Sequence, residues 1–124
     1  IRYNIANMKI LEIKKSKFIS YSFTLNSKEE FKQKLAFLKE EHKKAKHIVY
    51  AYIIEDNKTK ITGYSDDKEP KGVAGLPLYK LLENKNLTNK VIFVVRYFGG
   101  IELGKSNLLR AYLKCAEEEL NFID

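Results

Sequence analysis

The chain has 124 residues and carries 23 Lys and Arg against 16 Asp and Glu, a formal net charge of +7. This length is typical of one domain, and a hydrophobic fraction of 44% can build a core, which excludes a wholly disordered chain. Cys115 is the single cysteine, so an internal disulfide and a multi-thiolate zinc site are excluded. Without a membrane-length apolar stretch or a signal-peptide pattern, we expect a soluble, cytoplasmic protein.

The positive charge is carried mainly by lysine. Only Arg2, Arg96 and Arg110 are arginines, so 23 − 3 = 20 of the basic residues are lysines. Arginine, not lysine, makes bidentate contacts to phosphates and bases. The lysines are spread over several segments, and residues 117–124 are acidic. The charge alone therefore fits both phosphate affinity and an ordinary solvated surface.

The first third of the chain predicts a hairpin followed by a helix. Residues 8–14 and 17–25 alternate apolar and polar side chains, as half-buried strands do. Ser27 has the character of an N-cap, and Glu30 completes a capping box. The spacing of the following apolar residues predicts a helix that ends near residues 42–44 and buries Phe31, Leu35, Leu38 and Phe37.

The middle of the chain predicts a strand pair and a second helix. Residues 47–54 form a near-continuous apolar run typical of a central strand, and 61–64 are a short partner. A polar loop over 65–72 leads into a helix over 73–83, with Pro77 tolerated in its first turn.

The last third predicts a strand over 90–97, a glycine-rich loop and an amphipathic helix over 105–120. The complete order is therefore ββαββαβα. Hairpins separated by helices favour an α+β fold, which we expect to be a two-layer sandwich with a mixed β-sheet and the helices on one face.

The glycine-rich loop matches a phosphate-binding pattern. Residues 99–106 fit G-x-x-x-x-G-K-[ST], in which Lys105 would contact phosphates and Ser106 magnesium. However, only 18 residues follow Ser106, with no later strand to supply an Asp for the metal. Glu102 also places a carboxylate inside the loop. A P-loop-like NTPase is therefore the weakest alternative.

Two longer strings resemble motifs of the YigZ/Impact family. Residues 65–77, SDDKEPKGVAGLP, resemble its S-D-D-G-E-P-x-G-T-A-G-x-P string. Residues 96–104, RYFGGIELG, resemble its R-Y-F-G-G-I-K-L-G, and residues 109–112, LRAY, resemble its L-x-R-A-Y. Shorter matches lie at 15–19 and 45–52, so the resemblance covers about residues 12–115. The chain departs from the family strings at Lys68, Val73, Glu102 and Asn107.

The resemblance implies a fold like the second domain of the fifth small-subunit ribosomal protein and domain IV of elongation factor G. It implies that residues 1–124 are one Impact N-terminal-type domain, without the C-terminal ferredoxin-like domain common in bacterial relatives. The eukaryotic relative is a translational regulator that competes for the activator of an amino-acid-starvation kinase. We therefore expect a non-enzymatic binding module linked to translation, with RNA, the ribosome or a protein as partner, and with no cofactor, metal or membrane.

Three carboxylates in the first motif leave two interpretations open. Asp66, Asp67 and Glu69 either form a cation or acid–base site, as close carboxylates with split pKa values can, or cap backbone N–H groups of a structured loop. Arg96 either contacts an anion beside the glycine-rich loop or pairs with one of these carboxylates. The second possibility predicts that the two motifs meet in space. The alternative function is an enzyme or phosphate-ligand binder built from both motifs.

Single residues outside the carboxylate cluster receive mostly structural interpretations. His47 opens an apolar strand and is expected to be packed or to cap it, and Cys115 is expected in the core. Tyr97 and Phe98 are able to stack on bases, although packing is commoner beside a core strand. The candidate residues for binding a ligand or partner are Asp66, Asp67, Glu69, Pro70, Gly72, Gly75, Arg96, Tyr97, Phe98, Gly99, Gly100, Gly104 and Arg110.

Overall fold

The computed structural model describes residues 9–121 and confirms the predicted order of elements. The predicted first strand began at residue 8, which lies outside the described residues. The elements are β1 (Lys9–Ile13), β2 (Ser16–Thr24), α1 (Lys28–Glu41), β3 (His47–Asp56), β4 (Thr59–Ser65), α2 (Gly75–Asn84), β5 (Lys90–Tyr97) and α3 (Lys105–Leu120). No helix among residues 9–121 has the length and apolar character needed to cross a membrane.

Local signals in the sequence explain several of these boundaries. The side chain of Ser27 accepts a hydrogen bond from the Glu30 amide at 3.1 Å, which confirms the N-cap of α1. Lys14 and Lys15 both have positive φ, as the two-residue turn of a tight hairpin requires. Pro77 lies in the first turn of α2, where an amide hydrogen would have no partner within the helix.

The five strands form one sheet in the order β1-β2-β5-β3-β4, and every neighbouring pair is antiparallel. The prediction of a mixed sheet is therefore wrong. The crossover through α1 does make β2 and β3 run in the same direction, but β5 lies between them and is antiparallel to both. In the same way β3 separates the co-directional strands β4 and β5. The connection through α1 therefore joins two strands that have β5 between them, and the connection through α2 joins two strands that have β3 between them.

The helices cover both faces of the sheet, so the prediction of a two-layer fold with helices on one face is also wrong. On one face, strand residues such as Val49 and Val94 pack with Leu78 of α2 and Leu108 of α3. On the other face, Phe31 and Leu38 of α1 pack against strand residues in a second core: Tyr21, Ile48, Tyr52, Ile54, Val91, Phe93 and Val95. The central strands β3 and β5 are buried along both sides because their apolar runs do not alternate. The α+β class is confirmed, with three layers instead of two.

One end of the sheet gathers most of the motif residues. There β1, β4 and β5 end and β2 and β3 begin, as the pairing of Arg96 with both Phe18 and His47 shows. The loops that follow β4 and β5 lead directly into the first turns of α2 and α3. We call this the motif end, and the opposite end of the sheet the far end. The likeness to the ribosomal protein domain stays a prediction.

Candidate functional site

Asp66 organises the loop between β4 and α2. Its carboxylate accepts hydrogen bonds from the backbone amides of Gly72, Ala74 and Gly75 at 2.7–3.0 Å. Partial burial raises the pKa of Asp66, but these three amide donors outweigh it and hold the pKa below its ordinary value. Asp66 therefore caps the start of α2, which is the structural interpretation of this carboxylate.

Asp67 ties the same loop to the start of β3. Its Oδ2 accepts from the Ile48 amide at 2.6 Å, and its carbonyl oxygen accepts from Nδ1 of His47 at 2.6 Å. Because a carbonyl only accepts, Nδ1 of His47 carries a proton. The other ring nitrogen, Nε2, faces Oε1 of Glu69 at 3.4 Å, a contact that becomes an ion pair when the ring is protonated.

Glu69 and Arg96 form a buried ion pair that joins the two motifs. Nη1 of Arg96 donates to both carboxylate oxygens of Glu69, at 2.8 and 3.0 Å, and the two residues are only 3% and 7% exposed. The hydroxyl of Tyr112, on α3, donates to Oε2 of the same carboxylate. Burial first and Glu69 second raise the pKa of Tyr112, so its hydroxyl stays protonated. The prediction that the motifs meet in space is confirmed.

The hairpin between β1 and β2 completes this network. Oγ of Ser16 lies 3.4 Å from Nη2 of Arg96 and accepts from the Gly99 amide at 3.3 Å. Gly99 lies so close to the hairpin that a Cβ would stand 2.2 Å from the carbonyl of Lys15. Only glycine fits there. Nε of Arg96 is fully buried in this network and has no hydrogen-bond partner among the described residues.

The remaining candidate residues lie in three different settings. Tyr97 points to the α1 face, because neighbouring strand residues alternate, and its hydroxyl hydrogen-bonds Nδ1 of His42 at 2.6 Å. Phe98 is 39% exposed at the start of the following loop. Arg110 lies on the exposed side of α3 and donates to Asn107 at 2.7 Å, so the structure does not bring it into the network.

The other candidate positions shape the loops. Three of the glycines have positive φ, and all three have open space where a Cβ would stand: Gly72, Gly100 and Gly104. Gly75 instead packs against the backbone of Ser65, where a Cβ would approach to 2.9 Å. The carbonyl of Pro70 accepts from the Val73 amide at 3.3 Å and helps to close the turn before α2.

Three residues of the network were not singled out as site candidates from the sequence. His47 was expected to be packed, and it is buried, but it also contacts Glu69. Ser16 and Tyr112 belong to the short stretches that resemble the family, 15–19 and 109–112, yet nothing in their spacing links them to Glu69. The sequence did contain one signal for them: polar residues lie at the ends of apolar elements. Strand pairing then brings these ends together.

The phosphate-binding pattern at 99–106 does not lie in the type of β-sheet that a P-loop requires. Its helix, α3, does begin at Lys105, with Gly104 as N-cap. The preceding strand, β5, is flanked on both sides by antiparallel strands. A P-loop instead follows a strand of a parallel sheet.

A comparison with protein families places these motifs. The model of the Impact N-terminal domain matches residues 14–120, which include both motif loops and all three helices. The chain belongs to the Impact family. The buried pair of Glu69 and Arg96 thus joins the two loops that resemble motifs of this family.

Curated Impact relatives are similar over nearly the whole chain. The family member YvyE of Bacillus subtilis (strain 168) is 39% identical over 111 residues, which cover 90% of this chain and 51% of YvyE. A member from Haemophilus influenzae is 38% identical over 114 residues, which cover 91% of this chain and 55% of that protein. The chain therefore spans about half the length of the curated relatives it matches.

Solved structures support the fold. A crystal structure described as that of a hypothetical protein is 33% identical, with a TM-score of 0.87, and the match covers 93% of this chain and 56% of that one. The two-domain translational regulator Yih1 is 21% identical with a TM-score of 0.57, and the match covers 98% of this chain and 48% of Yih1. At that identity the second likeness shows the fold alone.

Proposed function

We propose that this Impact domain is a non-enzymatic binding module of translation regulation, and that its motif end contacts RNA, free or on the ribosome. The observation that carries the proposal is the distribution of charge. Nine lysines from separate segments of the sequence lie exposed at the motif end: Lys14, Lys15, Lys17, Lys43, Lys44, Lys46, Lys68, Lys71 and Lys105. Clustered cations of this kind attract a phosphate backbone.

Few carboxylates offset this charge at the surface of the motif end. Glu69 is buried and paired with Arg96, whereas Asp66 and Asp67 are partly buried and accept hydrogen bonds from backbone amides. Among residues 9–121, the exposed carboxylates there are Glu12, Glu40, Glu41 and Glu102. At the far end, acidic side chains at or near the surface only slightly outnumber basic ones: Glu29, Glu30, Glu55, Asp56, Glu83, Glu117 and Glu118 lie among Lys9, Lys28, Lys58, Lys60, Lys85 and Lys90. The molecule is therefore polarised along its strands.

The state of the carboxylates favours binding over catalysis. Acid–base chemistry needs a carboxyl group that reaches the substrate. Both oxygens of Asp66 accept backbone hydrogen bonds, and both oxygens of Glu69 accept from Arg96. These contacts give Asp66 and Glu69 structural roles. The link to translation is supported by the fold shared with Yih1, which is described as a translational regulator.

The proposal is tested by the binding of a fluorescently labelled single-stranded RNA, and of purified small ribosomal subunits, over a range of salt concentrations. We expect affinity to fall steeply with salt because bound phosphates release counterions. The triple variant Lys17→Glu, Lys71→Glu, Lys105→Glu should lose most of this affinity and show a shallower salt dependence. Lys28→Glu, Lys58→Glu, Lys60→Glu is the matched control, because it changes the net charge equally at the far end.

Two results would contradict the proposal. One is the absence of binding to both RNA and ribosomal subunits at low salt. The other is an equal loss of affinity in the two triple variants, which would show that total charge matters and the motif end does not. Circular dichroism and urea unfolding of each variant establish that the fold is retained.

A further inference from the structure

Phe98 presents an aromatic ring to solvent in the middle of the motif end. It follows β5 directly and is 39% exposed, whereas its neighbour Tyr97 is held against His42 on the α1 face. Two cations lie over the ring: Nζ of Lys46 is 5.1 Å from its centroid and Cζ of Arg96 is 5.6 Å away. Cations at this range are attracted to the ring.

The position of the ring is set by rigid neighbours. The next residue, Gly99, is pressed against the backbone of Lys15 and donates to Ser16. On the other side, Arg96 is fixed by its ion pair with Glu69. The backbone of the Lys46 residue is also anchored, because its amide donates to the carbonyl of Arg96 at 2.8 Å. Phe98 is therefore held in place with part of its ring open to solvent.

We propose that Phe98 is a stacking platform for an unpaired base of single-stranded RNA. This inference rests on the proposed function and names the feature of RNA that the motif end recognises. Aromatic side chains beside cationic ones bind single strands because every base has a π face and every nucleotide a phosphate. The exposed ammonium of Lys46 lies over the ring, so a stacking base displaces it from the π face and leaves it close enough to contact the phosphate of that nucleotide. A duplex is disfavoured, since its bases are already stacked and paired.

The second exposed apolar residue of the loop supplies the matched control. Ile101 is 44% exposed, close to the value for Phe98, but it has no π face. If the loop bound by apolar contact alone, as a protein interface does, removal of either side chain would weaken binding to a similar degree. If a base stacks on the ring, only Phe98 matters.

The first measurement is the affinity of the intact chain for an unstructured single-stranded oligonucleotide and for a duplex of the same length. We expect Phe98→Ala to weaken single-strand binding about 5- to 150-fold, which corresponds to the roughly 1–3 kcal/mol of one base–aromatic stack. Phe98→Tyr should retain affinity, Ile101→Ala should leave it within about twofold of wild type, and the salt dependence of Phe98→Ala should be unchanged. The duplex should bind more weakly than the single strand.

The second measurement reports the stacking itself. The chain contains no tryptophan, so Phe98→Trp introduces a single indole at the platform. Its fluorescence should be quenched when the oligonucleotide binds. Ile10→Trp, on the edge strand β1 at a position that is 61% exposed, is the control and should not be quenched.

The possible outcomes separate the two proposals. If RNA binds but Phe98→Ala and Ile101→Ala have equal effects, or the indole is not quenched, the stacking platform is refuted and the basic surface stands. If neither RNA nor ribosomal subunits bind, both are refuted. If poly-glutamate binds as tightly as RNA and quenches the indole equally, the loop recognises an acidic protein segment and the stacking platform is again refuted.

Discussion

The two faces of the sheet are built from different chemistry, although β5 contributes to both. On the α2/α3 face, Arg96 enters a buried network of charged and polar groups around Glu69. On the α1 face, the next residue, Tyr97, enters an aromatic layer. Alternation along one strand thus sends neighbouring residues of the same motif into opposite cores.

The α1 face depends on shape and ring contacts. Phe31 of α1 packs its ring against three strand rings, with centroids 4.3 Å from Tyr52, 4.9 Å from Tyr50 and 5.9 Å from Phe93. The polar contact at the edge of this layer joins His42 to two tyrosine hydroxyls, those of Tyr21 and Tyr97, each at 2.6 Å. A neutral imidazole satisfies both, since one ring nitrogen donates and the other accepts.

The difference teaches where the domain tolerates change. An aromatic layer can lose one ring contact and repack, because its energy is divided among many weak contacts. A buried ion pair cannot, because removal of one partner leaves a charge without compensation in a dry interior. The motif residues are therefore concentrated on the less tolerant face, where their arrangement fixes the loops of the motif end.

The largest expected effect is the loss of the charge on Glu69. The variant Glu69→Gln should lower the free energy of unfolding by about 3–5 kcal/mol because Arg96 stays charged and buried. Urea unfolding measures it, with the exposed Glu102→Gln as control, expected to change stability by less than about 0.5 kcal/mol. The double variant Glu69→Gln, Arg96→Met should lose less than the sum of its single variants. Additive losses would show that the ion pair does not couple the motifs.

A smaller loss is expected on the aromatic face. The variant Phe31→Leu keeps most of the buried volume but removes the ring contacts, so we expect a loss of about 1–2 kcal/mol. The exposed substitution Lys32→Ala, on the next residue of the same helix, controls for changes in helix propensity. If Phe31→Leu lost as much unfolding free energy as Glu69→Gln, the two faces would not differ in their tolerance of substitution.

The thiol of Cys115 tests whether the two faces open together. Burial raises its pKa to about 11, so it reacts with an alkylating reagent only after α3 opens. Because β5 serves both cores, we expect Phe31→Leu to accelerate labelling about tenfold for each 1.4 kcal/mol lost, even though residue 31 lies on the other face. Mass spectrometry of labelling under native conditions measures this. An unchanged rate would show that the α2/α3 face opens independently.

The smallest effect is a pH dependence on the α1 face. Burial lowers the pKa of His42, which the nearby Glu41 only partly opposes. The unfolded chain, with an ordinary pKa of 6.5, therefore binds this proton more readily, and the folded state loses stability as the pH falls below about 6.5. Unfolding curves between about pH 5 and pH 7 should show this loss in the wild type and a weaker one in His42→Gln. Asp66 contributes only at lower pH, below its ordinary value of 3.8.

Sequence patterns predicted the elements well because their causes are local. The capping box at Ser27 and the amphipathic spacing of α3 depend on neighbours within one or two turns, and β5 and α3 have the predicted bounds. The sheet was harder, because the same order of elements permits either pairing of β2 with β3 or insertion of β5 between them. The continuous apolar runs of β3 and β5 did contain a signal for helices on both faces, since a strand without alternation has no side for solvent.

The candidate site was only partly accessible from the sequence. The pairing of Arg96 with a carboxylate of the first motif was one of the two interpretations that the sequence left open, and the structure shows it with Glu69. The contributions of Ser16, His47 and Tyr112 were not predictable from spacing, because they arrive from three separate elements. Their meeting is a consequence of strand order.

By itself, the amino-acid sequence determined the family, the elements and the positive charge. Only the tertiary structure decided that the strand pairs are all antiparallel, that helices cover both faces, and that lysines from distant segments share one end. The reason is physical: local periodicity sets each helix and strand, whereas the position of a charge in space depends on which ends of the strands lie together. Of the lysines that the sequence spreads over several segments, nine lie exposed at the motif end of the folded molecule.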